Sequence, residues 1–221
     1  MQSDLLDQIL ALKARRQAFF YLRSLADERE LIIADHQRLG ALELAEGLEA
    51  TMAALQGRNQ AQTVEGPDHT PVFVQSFVPP RRLIIIGAVH IAQALAPMAQ
   101  SCGFDVTIID PRPPFAHPER FAGFELHAAW PDEILSLESF DEQCALCLLS
   151  HDPKIDAPAL LLAFAAARSP AYIGALGSRK TQAKRHQRLQ DKGLTQAQID
   201  RICGPIGLDI GAQSPAEIAV A

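Results

Sequence analysis

Four consecutive aliphatic residues, Leu83-Ile84-Ile85-Ile86, run into Gly87-Ala88-Val89-His90 and then into a helical stretch of small residues. Asp110 closes the next apolar run. A buried strand, a glycine turn, a helix and a second strand ending in an acid outline a nucleotide-binding βαβ unit. Glycine allows the tight turn, and the start of the following helix attracts phosphate. Val89 stands where a second glycine would let a pyrophosphate reach the backbone. The same turn also serves strand-to-helix packing alone, and both readings stay open.

Beyond Pro79-Pro80, strand-like and helix-like segments alternate. Strands are expected at 83–86, 105–110, 125–128, 144–149 and 171–173. Helices are expected at 89–100, from Pro131, at 156–168, at 178–190 and at 195–202, the last with Thr195 as N-cap. This alternation implies an α/β, Rossmann-like, doubly wound parallel sheet with right-handed crossovers. The region before Pro79 reads as a small α+β module. Residues 5–25 have helix-like apolar spacing, although 17–22 reads equally as a strand. A short strand is expected at 30–34 and a helix at 41–55, where Leu44, Leu48, Met52 and Leu55 recur at helical spacing. Residues 57–70 are polar and turn-rich, and 71–77 alternate as a strand should. The expected division is 1–78 for the small module and 79–221 for the Rossmann-like domain.

With 48% hydrophobic and 21% charged residues, the chain has the makings of a globular protein with a sizeable core. A formal net charge of −6 argues against nonspecific nucleic-acid binding by the whole surface, while a local basic site runs from Arg179-Lys180 through Lys192. No apolar run is long enough to span a bilayer, and Met1-Gln2-Ser3-Asp4 lacks the features of a signal peptide, so a cytoplasmic location is expected. The cysteines are too few and scattered for a disulfide scaffold. Cys144 and Cys147 have CxxC spacing, but three residues apart in a strand they point to opposite faces, which favours core over a redox or zinc site.

Ligands of an open parallel sheet bind beyond the carboxyl ends of the strands, so the residues after each strand are the candidates for binding. The first turn offers Gly87, Ala88 and His90. Asp110 is placed to accept a ribose hydroxyl, or to form a turn with Pro111, and Arg112 follows it. His151 and Asp152 are either an acid–base pair or part of an ordinary turn before Pro153; small-molecule contacts are favoured over a metal there. Gly174 and Gly177 permit unusual backbone, Ser178 can cap a helix, and Arg179 places a fork-shaped cation at its start. A cation opposes the dipole at that end, which points to an anionic ligand. Lys180, Lys184 and Arg188 form an i, i+4 stripe that reads mainly as a solvated face. Asp209 lies in the turn-rich run 205–212, and Ser214, Pro215 and Glu217 make a capping box. No catalytic residue and no metal site is assigned.

Taken in order, the segments 80–92, Asp110-Pro111-Arg112, Ser150-His151-Asp152, 172–180 and 205–212 resemble the xanthine dehydrogenase accessory protein family (XdhC/CoxI). The resemblance runs from about Pro79 to the end. It implies a chaperone without its own turnover that binds molybdenum cofactor, as molybdopterin or its dinucleotide form. Such a protein protects the cofactor during sulfuration by a cysteine desulfurase and delivers it to an apo molybdenum hydroxylase of the xanthine dehydrogenase type. The family usually has Gly-Ala-Gly-His where this chain has Gly87-Ala88-Val89-His90, and the glycine-rich and cysteine-bearing motifs of its amino-terminal domain have no counterpart before Pro79, where 17–77 resembles a shortened version. A divergent member with a shortened amino-terminal domain is therefore expected, with a homodimer compatible. Two further readings remain: an NAD(P)-binding oxidoreductase or nucleotide sensor, and a noncatalytic interaction module for a molybdoenzyme.

Overall fold

The computed structural model describes residues 3–66 and 69–221. The chain divides into two compact units, Met1–Pro79 and Pro80–Ala221. In the first, α1 (Ser3–Ala14) leads into β1 (Phe19–Ser24), β2 (Glu30–Ala34) and β3 (Gln37–Gly40). Then come α2 (Glu46–Leu55), β4 (Ala61–Glu65) and β5 (Pro71–Phe77). The sheet is antiparallel in the order β3-β2-β1-β5-β4. Leu48 and Leu55 of α2 pack with Leu22, Leu31, Val72 and Val74. Leu5, Ile9 and Leu12 of α1 pack with Phe19, Ile32 and Ala34. Alternate strand residues thus serve two helices, as the period of two requires.

Several expectations for this unit need correction. The opening helix ends at Ala14, and of the two readings of 17–22 the strand holds, because the aromatic run from Phe19 is taken up by pairing with both β2 and β5. Residues 41–45 are not helical; the Ala41 and Leu42 amides both donate to the Glu30 carbonyl. The turn-rich stretch 57–70 contains β4, an exposed edge strand held by β5 rather than by any apolar pattern of its own. Residues 67 and 68 of that stretch lie outside the described residues.

The second unit begins with β6 (Arg81–Ile86), α3 (His90–Ser101), β7 (Phe104–Ile109) and β8 (Glu125–His127). It continues through α4 (Pro131–Ile134), β9 (Cys144–Leu148), α5 (Pro153–Ala165) and β10 (Tyr172–Ala175). It closes with α6 (Arg179–Asp191), α7 (Gln196–Ile199), β11 (Ile202–Cys203) and α8 (Pro215–Val220). All its strand pairs are parallel, in the order β11-β10-β9-β6-β7-β8. This is the doubly wound order, with the topological switch between β6 and β9. One face packs Ile84, Ile86, Leu146 and Leu148 against Ile155, Ala159, Leu160 and Ala163 of α5. The other packs Leu83, Ile85, Val106 and Ile108 against Ala92, Ala96 and Ala99 of α3, whose small side chains let that helix lie close.

Cys144 belongs to the first cluster and Cys147 to the second, so the two thiols do not converge. Burial pushes the Cys147 thiol up to about 12, which leaves it un-ionised at neutral pH. The helix expected over 195–202 stops at Ile199. Ile202 instead pairs with Ile173 and adds an edge strand. Thr195 and Ser214 cap α7 and α8 as expected.

Candidate functional site

The loops after β6, β7, β9 and β10 meet at the carboxyl edge of the second sheet. Gly87 turns the chain at φ 110°, and its amide donates to the Ile109 carbonyl (2.8 Å). A Cβ there would sit 2.7 Å from the Ser150 nitrogen, so glycine lets the β6 and β9 loops touch across the switch point. The Ala88 amide donates to Asp110 Oδ2 (2.8 Å) and is thereby withdrawn from any ligand. Behind the turn, α3 begins with Val89 at its N-cap and no side chain capping it. Its leading N–H groups therefore lack helical partners and form an anion-attracting end. His90 is its first residue and is exposed.

Asp110 is fully buried and does not present the free carboxylate that a ribose contact needs. Oδ1 accepts from the Arg112 amide (3.0 Å) and from its Nε (2.8 Å), and Oδ2 from its Nη2 (2.7 Å) as well as from Ala88. Burial opposes the charge, but these donors outweigh it and hold the carboxyl below its ordinary value. The Arg112 guanidinium also stacks over Phe115, 4.1 Å from the ring centre. Arg120, to which no sequence motif points, donates to the carbonyls of Ala88 (2.9 Å) and Phe115 (2.6 Å) and to Gln93 (2.9 Å). It ties the first two loops together.

Across the switch point, the Ser150 hydroxyl donates to Asp156 Oδ1 (2.5 Å) and accepts from the Asp152 amide (3.1 Å). His151 is exposed and left-handed at φ 62°, a region that non-glycine residues seldom enter. Asp152 caps α5 by accepting the Lys154 amide (2.9 Å) and makes no bond to His151. Asp156 is buried against Arg185, whose Nη2 lies 3.1 Å from Oδ2 and 3.2 Å from the Leu176 carbonyl. Burial pushes the Asp156 carboxyl above its ordinary value, against the pull of Ser150 and Arg185. Arg185 also donates to Gln182, whose amide reaches the carbonyls of Ala175 (2.9 Å) and Gly177 (3.2 Å). A buried chain of polar groups thus joins the β9 loop to the β10 loop.

Gly174 lies within β10 rather than in the loop after it. A Cβ there would strike Tyr172 and Ile206 at 2.6 Å, so the glycine serves packing. Gly177 turns at φ 130° beside Thr181, and the Ser178 hydroxyl accepts the Thr181 amide (3.3 Å) to cap α6. Arg179 and Lys180 are exposed at the start of α6, and Arg179 has no side-chain partner among the described residues. Asp209 is exposed in the segment after β11 and is not bonded into this group of loops.

Beside His151, α5 and α6 enclose a small cavity of about 60 Å³ floored by Ala157, Leu160 and Leu189 and edged by Arg188 and Lys192. A larger recess of about 700 Å³ lies elsewhere, on the sheet face from Arg82 to His127. Within it Glu125 accepts from Thr107 (2.8 Å) and lies 2.9 Å from His127. It collects none of the loop residues, so the chemistry is better sought at the carboxyl edge. Among the described residues, no cluster of His, Cys, Asp and Glu is placed to hold a metal ion, and no helix is long and apolar enough to cross a membrane.

Similarity to known proteins is concentrated in this unit. The family model of the XdhC Rossmann domain matches residues 83–221. The chain is 33% identical over 152 residues to a probable xanthine dehydrogenase subunit of Bacillus subtilis, covering 68% of this chain and 43% of that protein. It is 32% identical over 136 residues to the molybdenum cofactor insertion chaperone PaoD of Escherichia coli, covering 62% of this chain and 36% of PaoD. The match therefore spans less than half the length of either relative. A crystal structure described as a xanthine dehydrogenase from Bacillus halodurans superposes with a TM-score of 0.65 at 21% identity, over 98% of this chain and 63% of that one. That likeness extends the shared fold to both units. The match over the whole Rossmann sheet and its loops places this chain in the XdhC family.

Proposed function

We propose that the chain is an accessory protein of molybdenum enzymes that holds molybdenum cofactor at the carboxyl edge of its parallel sheet and passes it to an apo hydroxylase. The observation that carries this reading is the match of residues 83–221 to the XdhC Rossmann domain, with PaoD, a cofactor insertion chaperone, among the relatives. The donor set at the edge suits such a ligand. Molybdopterin ends in a phosphate and its dinucleotide form carries a pyrophosphate, both of which call for N–H donors and fixed cations. The uncapped start of α3, Arg112 and the unpaired Arg179 supply them.

In this reading Gly87, Ala88, Gly174 and Gly177 shape the loops, while Asp110 and Asp152 set Arg112 and α5 in place. His90, Arg112, His151, Ser178 and Arg179 face the ligand, and Asp209 lies at the margin. The bound group supplies the redox chemistry of the client enzyme. This chain's own residues bind it, orient it and keep water from it. A cysteine desulfurase that sulfurates the cofactor while it is held, and pairing of two copies, are extensions of the same proposal.

The test is thermal or chemical unfolding of the full chain with added cofactor. A ligand present at about 100 times its dissociation constant should stabilise the fold by roughly 2.7 kcal/mol. An unchanged unfolding midpoint across a saturating range would overturn the reading.

A further inference from the structure

Sheets of this order usually read a ribose through the acid at the end of the second strand, whose free carboxylate accepts the sugar hydroxyls. Asp110 occupies that position directly after β7, but it takes four hydrogen bonds from Ala88 and Arg112, which fill the roughly four acceptor sites of a carboxylate. No lone pair is left for a diol. What the end of β7 presents instead is Arg112, partly exposed, held by two bonds to Asp110 and lying over the Phe115 ring.

A guanidinium has five N–H groups and no acceptor. Two of Arg112's donate to Asp110, and the others have no partner among the described residues. The position therefore offers donors on a rigid, permanently charged fork, and the complementary ligand group must be an acceptor-rich anion. The acceptors nearby are spoken for as well, since Arg120 takes the Ala88 and Phe115 carbonyls. The adjacent start of α3 adds further unpaired N–H groups of the same sign.

We propose that Arg112 is a specificity-determining residue of the carboxyl-edge crevice, admitting a phosphate monoester at the end of β7 and rejecting a free ribose diol. The inference rests on the proposed function only for where the ligand sits. Two sources carry that chemistry: the terminal phosphate of a pterin cofactor and the 2′-phosphate of NADP.

Titration calorimetry of the full chain with NAD, NADP and freshly released molybdopterin tests it. At least one phosphate-monoester ligand should bind about tenfold or more tightly than NAD. Arg112→Ala should abolish that margin and improve NAD binding, because Asp110 is released, while Arg112→Lys should retain part of it. If the alanine variant fails to fold, the Lys and Gln variants, one keeping the charge and one removing it, decide on the same readout. Molybdopterin binding without NADP binding would support both proposals. NADP binding without molybdopterin binding would uphold the role of Arg112 while sinking the cofactor-carrier reading. NAD binding as tightly as the phosphate ligands, a margin unmoved by Arg112→Ala or Arg112→Gln, or no binding of any of the three at about 1 mM would overturn the inference.

Discussion

At the scale of single residues, Gly87 and Asp110 perform structural tasks that bring the site into being. Gly87 has a backbone angle of 110° and no room for a Cβ beside the Ser150 backbone. Gly87→Ala combines backbone strain with overpacking and should cost about 2 kcal/mol or more in a urea unfolding series. A loss under about 0.5 kcal/mol, the range of ordinary surface changes, would contradict that account. Asp110 has a folded-state pKa held below its unfolded value. Its contribution is therefore present above the unfolded value of about 3.9 and fades as the pH falls through the lower folded value. Unfolding curves of the native chain and Asp110→Asn should differ most near neutral pH and converge in acid; a gap that widened on acidification would refute the assignment. The residues after Gly87 and the strand-end acid were both legible in the sequence. What Asp110 does was not, because nothing in the spacing says that Arg112 would fold back and fill its acceptor sites.

Among the elements, α5 and α6 are joined through Asp156 and Arg185, both buried, and this pair fixes the β9 and β10 loops relative to one another. Removing one partner leaves an uncompensated buried charge, at a cost of about 3–5 kcal/mol. Asp156→Ala and Arg185→Ala should each show a loss of that order, whereas Asp156→Leu with Arg185→Met should recover much of it. Strictly additive losses in the double variant would show that the pair does not act as a unit. The sequence held a partial signal here: Gln182, Arg185 and Leu189 follow the three-four spacing of a buried helix face, while Lys180, Lys184 and Arg188 mark the solvated one. The solvated stripe is the more conspicuous of the two because its cations stand out. The edge strands β3, β4 and β11 were not legible, since each is short and is held by its neighbour rather than by apolar alternation. The central strands were, because burial on both faces writes an unbroken aliphatic run into the sequence.

For the whole molecule, the alternation of strand and helix after Pro80 dictates the doubly wound sheet, and that sheet's order puts the switch point between β6 and β9. The positions of the loops follow from topology, and their donors come from the start of α3, Arg112 and Arg179. The chain belongs to the XdhC family, and the proposal that it handles molybdenum cofactor draws on relatives of which the match covers less than half. The central claim is that the chain carries the cofactor. The most direct measurement is pterin analysis of the protein purified from a molybdenum-replete host, with acid and iodine treatment converting any bound cofactor to a fluorescent oxidised pterin. The account predicts pterin recovered with the native chain and diminished with Arg112→Ala. No pterin in the native protein, together with no uptake when cofactor is added back, would contradict it.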